Sequence, residues 1–284
     1  MADLPARVRL VIFDLDGVVY RGTQRIPGAA PMINRLHHAG VIVRFVTNNS
    51  MVARSGYVAL LRDMGIETSA EEIVTSTTAT IEHLARHASY VRRVMAVGAA
   101  GMVEELELAG FEAQDAADAA PPDYDGGPLQ AGYDAVLAGL DPAFDYRRLA
   151  AASSAVRAGA AFVATNADER YPTPAGFLPG AGAIVAAISA ASGVSPLIIG
   201  KPQPQMFLAT AEAAAVAPSE AVVVGDNPDA DVVAARRAGM ASILVLTGVA
   251  DAATVATLDG ERCPDAVAAD PSEVLSVLLP RLSR

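Results

Sequence analysis

The stretch Val11-Ile-Phe-Asp-Leu-Asp-Gly-Val-Val-Tyr20 carries an apolar run straight into two carboxylates and a glycine. Residues 8–13 are continuously apolar apart from Arg9, the pattern of a strand covered on both faces of a parallel sheet. Gly17 permits a sharp turn directly after the second acid. In parallel α/β sheets, ligands bind in the crevice beyond the carboxyl ends of the strands. Asp14 and Asp16, at i and i+2, can both face such a crevice. A pair of acids there either holds a divalent cation through oxygen ligands or divides nucleophile and acid roles between them. A solvated acidic turn has the same composition, so this stretch alone leaves the choice open.

Working outward, short β-branched runs alternate with Ala- and Leu-rich segments of helical length. Strands are predicted at 8–13, 41–46, 197–199, 221–224 and 242–246, with helices near 31–39, 53–64, 205–215 and 230–238. This alternation predicts a parallel sheet with helices on both faces, built from the two ends of the chain. A second αβ region lies between them, with strands near 94–97, 135–138 and 161–164 and helices near 102–109 and 146–158. The acidic, Ala/Pro/Gly-rich segment 113–132 is expected to be a solvated loop. The order favours a domain inserted into another: an outer domain of 1–79 and 180–284, and an inserted one of 80–179.

Composition narrows the function classes. The 284 residues are 52% hydrophobic and 19% charged, which excludes a disordered chain. Lys and Arg number 21 against 32 Asp and Glu, a formal charge of −11 that disfavours a nucleic-acid binder. A single cysteine, Cys263, excludes a disulfide framework and a cysteine-based zinc cluster. No charge occurs between Arg170 and Lys201, but Pro172, Pro174, Pro179 and Pro196, with Gly180, Gly182 and Gly193, interrupt that stretch. What remains, 183–191, is too short to span a bilayer and is expected to be a buried helix. The first apolar run stops at Asp14, too early for a signal peptide. A soluble, cytoplasmic protein with no membrane partner is expected.

Three further constellations stand at predicted strand ends. Thr47-Asn-Asn-Ser50 offers hydroxyls, amides and backbone N–H groups to an anion, or an ordinary helix cap. Gly200-Lys-Pro202 places one cation on a restrained backbone; it is not a P-loop, which needs G-x-x-x-x-G-K-[ST]. Gly225-Asp-Asn-Pro-Asp-Ala-Asp231 packs three acids into six positions, a set that repels itself unless solvated, bound to a cation or placed at a helix N-terminus. If the outer segments form one sheet, all four share one edge of it. Other pairings fail: His83 and His87 have metal-ligand spacing but lack a convincing third ligand, Cys263 has no nearby histidine, and there is no G-x-S-x-G.

In this set the chain resembles the haloacid dehalogenase (HAD) superfamily, in its NagD-like and 4-nitrophenylphosphatase-like branch. Asp14-Leu-Asp-Gly-Val-Val-Tyr20 with Ile26-Pro-Gly-Ala29 is similar to the branch's first motif. Thr47-Asn-Asn-Ser50 with Arg54, Tyr57, Leu61 and Gly65 is similar to the second, Gly200-Lys-Pro202 to the third and Gly225–Asp231 to the fourth. Thr165-Asn-Ala-Asp168, Pro172, Gly176 and Pro179-Gly-Ala-Gly182 resemble the return from cap to core. Pro228 stands where many members have Leu, and Ala230 where many have Thr.

The resemblance implies a Rossmann-like three-layer α/β/α core with an inserted α/β cap, and Mg²⁺-dependent hydrolysis of phosphate monoesters. It implies that Asp14 is the nucleophile, forming an aspartyl-phosphate, and that Asp16 is the general acid and then base. Mg²⁺ would be held by Asp14, the Asp16 backbone carbonyl and Asp226. Thr47, the Asn48 backbone and Lys201 would hold the phosphoryl oxygens, with Asn227 and Asp231 supporting them. Asn166, Asp168 and Arg170 are the expected neighbourhood of substrate discrimination. The expected partner is a small phosphorylated metabolite such as glycerol phosphate, phosphoglycolate or a sugar phosphate, with 4-nitrophenyl phosphate as an artificial substrate; a homodimer through the cap is a further expectation. A nucleoside 5′-monophosphate phosphatase is the alternative within enzymes, mildly disfavoured by the 5% aromatic content. A phosphorylated aspartate signalling module is the alternative from another class; the long insert and Asp16 argue against it.

Overall fold

The computed structural model describes residues 4–127, 129, 132–173 and 176–282, so Pro174 lies outside the described residues. The chain forms two compact units, one from Met1–Thr47, Ser55–Val74 and Lys201–Arg284, the other from Asn48–Arg54 and Thr75–Gly200.

In the first unit a six-stranded sheet runs in the order Ala266–Ala268, Ala241–Val245, Ala221–Gly225, Leu10–Phe13, Ile42–Thr47, Ile73–Thr75. Leu10–Phe13 is central and parallel to both neighbours, with Phe13 opposite Val224 on one side and Phe45 on the other. All four of its side chains are fully buried, as a strand covered on both faces requires. From it the chain moves outward one way through Ile42–Thr47 and the other way through Ala221–Gly225. That reversal makes the carboxyl end of the central strand a topological switch point, where open α/β sheets place ligands. Met32, Ile33 and Leu36 of the helix Ala29–His38 pack with Phe13, Val43, Phe45 and Val224 in one core. Each such side chain stabilises by roughly 1.5–3 kcal/mol on burial.

In the second unit a five-stranded parallel sheet runs Leu197–Ile198, Ala161–Ala164, Ala135–Ala138, Arg93–Val97, Glu112–Asp115. Ala151, Ala152 and Ala155 of the helix Tyr146–Arg157 share its core with Ile184, Val185 and Ile188 of the helix Ala181–Ser192. Small side chains on these elements let helix and sheet backbones approach closely. An antiparallel hairpin pairs Arg170–Thr173 with Gly176–Pro179.

Three expectations need correction. The strand predicted at 197–199 pairs as Leu197–Ile198 with Ala161–Ala164, so it extends the second sheet and not the first. Together with the helix Ala181–Ser192 it carries the second unit from Thr75 to Gly200, beyond the expected 80–179. The segment 113–132 is not wholly a loop: Glu112–Asp115 is an edge strand, and Ala116 and Ala120 of the following turn of helix are buried in the core. An edge strand faces solvent along one side and tolerates the polar sequence that suggested a loop. Among the described residues no helix is long and apolar enough to cross a membrane.

Candidate active site

Asp14 follows the central strand, and its backbone N–H still donates to Val224 O at 2.9 Å. The sheet register therefore fixes where its carboxylate begins. Thr47 closes the adjacent strand and is buried. On the other side Asp226 follows Ala221–Gly225 and is also buried. Lys201 opens the returning segment of this unit, and its Nζ lies 2.9 Å from Asp14 Oδ1, 2.7 Å from Asp231 Oδ1 and 3.4 Å from the Val46 carbonyl. Exposure falls from 13% for the Asp14 side chain to 3% for Lys201 and 1% for Asp231. Asp14, Asp226, Asp231 and Lys201, distant in sequence, thus meet at the switch point of one sheet.

Asp231 reaches the group through an unusual backbone. The expected helix at 230–238 starts as a π-helical turn, Pro228–Val232, before Val233–Arg237 continues it. Such wide turns recur at functional sites. Asn227 caps the turn, its side-chain oxygen accepting from the Asp229 N–H at 3.0 Å. Pro228 takes the first position, where its missing N–H costs nothing. The Asp231 carboxylate closes the turn by accepting from the Asn227 N–H at 3.0 Å through Oδ2, while Oδ1 accepts from Lys201.

Ligating oxygens of Asp14, Asp226 and Asp231 all lie within 4.8 Å of one another. With all three carboxylates ionised, one ammonium would leave two surplus negative charges in a buried place, which suits a divalent cation. Both Asp231 oxygens accept hydrogen bonds from the chain, which commits Asp231 to the turn and to Lys201, while Asp14 and Asp226 complete the group that could hold a metal. Asp226 is itself oriented: its Oδ2 accepts from the Val249 N–H at 2.6 Å. Gly17 (φ +81°) and Gly248 flank that carboxylate so closely that a Cβ on either would overlap it. Gly248→Ala is therefore expected to displace Asp226 and raise the metal concentration for half-maximal activity about 10–100-fold. Metal titration of activity checks this; an unchanged midpoint would contradict it. The sequence reading missed Gly248 and Val249, although Thr247-Gly248 follows another strand, Ala241–Val245.

Burial sets the protonation chemistry. It pushes the Asp14 carboxyl up to about 7, with the Lys201 ammonium pulling the other way. Burial, then Asp231 and Asp14, raise Asp226 well above the usual carboxylate range. Burial alone would lower Lys201, but Asp14 and Asp231 outweigh it and hold the ammonium charged. Asp16, in the loop after Asp14, is raised by burial, opposed by hydrogen bonds from the Gly22 and Gly17 backbone. The same loop is tied down by Thr247 Oγ1, which donates to Gly17 O at 2.6 Å, and by Arg21, which donates to Gly248 O at 2.7 Å.

The remaining expected residues lie in the second unit. Asn48 follows Thr47 by one peptide bond, and its Nδ2 donates to both Asp168 oxygens at 3.1 Å. Asn166 is buried, giving one hydrogen bond to Asn48 O and receiving one from the Asp168 N–H. Arg170 stands on the exposed hairpin with its guanidinium 5.8 Å from the Phe177 ring centroid.

Two family models match the chain: a haloacid dehalogenase-like hydrolase over residues 11–112 and a HAD-hydrolase-like model over 198–274. An acid sugar phosphatase of Staphylococcus aureus (strain MRSA252) is 37% identical over 238 residues, 84% of this chain and 86% of that protein. The chain belongs to the haloacid dehalogenase-like hydrolases. Among solved structures, a 4-nitrophenylphosphatase from Thermotoga maritima superposes with a TM-score of 0.83 at 30% identity, covering 95% of this chain and 97% of that one. A glycerol phosphate phosphatase from Mycobacterium tuberculosis, solved in complex with magnesium, gives a TM-score of 0.82 at 31% identity, covering 96% and 78%. With the acidic cluster, these likenesses identify a phosphoric monoester hydrolase of the HAD-like family with a divalent-metal site.

Proposed function

We propose that this enzyme hydrolyses small phosphorylated metabolites through an aspartyl-phosphate on Asp14, with Mg²⁺ as its metal. The observation that carries the reading is Lys201, buried and charged, held between Asp14 and Asp231 beside Asp226. Asp14, Asp226 and the Asp16 backbone carbonyl would hold the ion, which supplies charge neutralisation for the phosphoryl group and favours ionised Asp14. Phosphoryl transfer needs in-line positioning and charge neutralisation above all. Lys201, Thr47 and the Asn48 backbone would bind the phosphoryl oxygens, Lys201 offsetting repulsion from the acids around it.

The Asp14 carboxylate attacks phosphorus; the ester P–O bond breaks, and the leaving alkoxide takes a proton from Asp16. Asp16, now ionised, accepts a proton from water as the water attacks the phosphoenzyme. The Asp14–phosphorus bond breaks, releasing phosphate and restoring both side chains. Burial, which raises Asp16 above the ordinary range, favours the protonated form that the first step needs.

A phosphate-release screen over glycerol phosphate, phosphoglycolate, sugar phosphates and nucleoside 5′-monophosphates tests the substrate class. Turnover is expected on the small metabolites; preference for nucleotides would overturn that choice. EDTA is expected to silence the enzyme and Mg²⁺ to restore it, whereas undiminished activity in chelator would remove the metal. Asp16→Ala is expected to slow hydrolysis of alkyl phosphates on the order of 10²–10⁴-fold. It should slow release of nitrophenolate much less, since that leaving group needs little protonation. Equal losses on both substrates, measured as kcat/KM, would contradict the acid role.

A further inference from the structure

The polar groups around Asn48 form a network whose side chains the chemistry above does not use. The Asn48 carbonyl accepts from Ser76 Oγ at 2.6 Å and from Asn166 Nδ2 at 2.7 Å. Its side-chain amide donates to both Asp168 oxygens, and the Asp168 N–H is held at 3.1 Å by Asn166 Oδ1. Asn166 therefore spends both ends of its amide inside the second unit and is only 3% exposed. The returning segment is caught in the same place. Gly200 donates its N–H to Thr165 O at 2.8 Å, and a Cβ on Gly200 would come within 2.7 Å of Asn48 Oδ1 and 2.8 Å of the Asn166 Cβ.

Asn48 is the first residue of the second unit and Gly200 its last, and the first-unit residues bonded to them are Thr47 and Lys201. We infer that Ser76, Asn166 and Asp168 form a polar clasp that fixes Asn48 and Gly200, the residues bonded to Thr47 and Lys201, close to one another. Asp168 is then a positioning residue for phosphate binding: it acts through the Asn48 amide, and a role in discriminating leaving groups is not needed. The clasp aims the Asn48 N–H and limits the freedom of the backbone across the Thr47–Asn48 and Gly200–Lys201 bonds. Hydrogen bonds to a charged acceptor are stronger than neutral ones, so Asp168 contributes most where both its oxygens are engaged. The inference rests on the proposal that Thr47, the Asn48 backbone and Lys201 hold the phosphoryl group.

The test compares wild type, Asp168→Ala and Asp168→Asn at saturating Mg²⁺. Competitive inhibition by inorganic phosphate is measured alongside KM and kcat for 4-nitrophenyl phosphate and glycerol phosphate. Asp168→Ala is expected to raise the phosphate inhibition constant about tenfold, the loss of one charged hydrogen bond. KM should rise by a similar factor on both substrates, with the Mg²⁺ midpoint unchanged. Asp168→Asn keeps one acceptor for the Asn48 amide and is expected to fall between wild type and Asp168→Ala; if Asp168→Ala does not fold, a rise of the inhibition constant in Asp168→Asn alone decides. An unchanged phosphate constant, with or without a lowered melting temperature, would overturn the clasp. So would a loss confined to one of the two substrates, the signature of a leaving-group contact. If phosphate fails to compete even in wild type, the phosphate site itself is wrong; if it competes there and the variants are normal, only the clasp is wrong.

Discussion

Asp14→Asn is expected to lower steady turnover on the order of 10⁴-fold or more, with every substrate and at every metal concentration. The amide is a poor nucleophile, and the neighbouring carboxylates are held elsewhere, Asp226 by the Val249 N–H and Asp231 by the Asn227 N–H and Lys201. The exchange is nearly isosteric and removes a carboxylate that burial already disfavours, so the fold should survive. That combination makes the loss interpretable: normal stability with vanished turnover. Clean protein with appreciable turnover, measured by phosphate release, would remove the covalent role of Asp14.

Lys201→Met is expected to damage both stability and catalysis. The side chain is buried, and its ammonium is shared between Asp14 and Asp231. Removing one partner of a buried ion pair leaves uncompensated charge and costs about 3–5 kcal/mol. Here two carboxylates lose the same cation, and Asp231 also loses the contact that fills its Oδ1. Urea denaturation in chelator, which removes any compensating metal, should show the lowered midpoint. Added Mg²⁺ should recover part of the stability without restoring substrate affinity, because the phosphoryl group has lost its fixed positive charge. A variant as stable as wild type, with unchanged KM, would contradict the place given to Lys201.

Much of this centre was legible in the sequence because the relevant signals are local. An apolar strand that stops at an acid marks a carboxyl end, and Asp14 and Asp226 both carry that mark. The acids of Gly225–Asp231 suited a helix N-terminus among other readings, although nothing local showed that the turn would be π-helical. What was not legible depends on tertiary pairing. Leu197–Ile198 has the same apolar character whichever sheet it joins, and only its register with Ala161–Ala164 decides. Glu112–Asp115 looked like loop because an edge strand need not be apolar. Asn166 and Asp168 stood out by their motif, but a polar side chain does not announce burial, and the bond from buried Asn166 to the Asn48 carbonyl exists only in the fold. Gly248 was passed over because a loop glycine is common; its closeness to Asp226 exists only in the fold.

The covalent step has the most direct test. Asp16→Ala, mixed with 4-nitrophenyl phosphate and Mg²⁺ and quenched in acid, should form phosphoenzyme and be slow to hydrolyse it, because the group that activates water is gone. Trypsin cuts after Arg9 and Arg21, and in this variant the peptide between them contains one carboxylate side chain, that of Asp14. Mass spectrometry is expected to find the mass of one phosphoryl group on that peptide, labile to hydroxylamine. Nitrophenolate released with that peptide unmodified and its phosphate free in solution, or modification on another peptide, would contradict it.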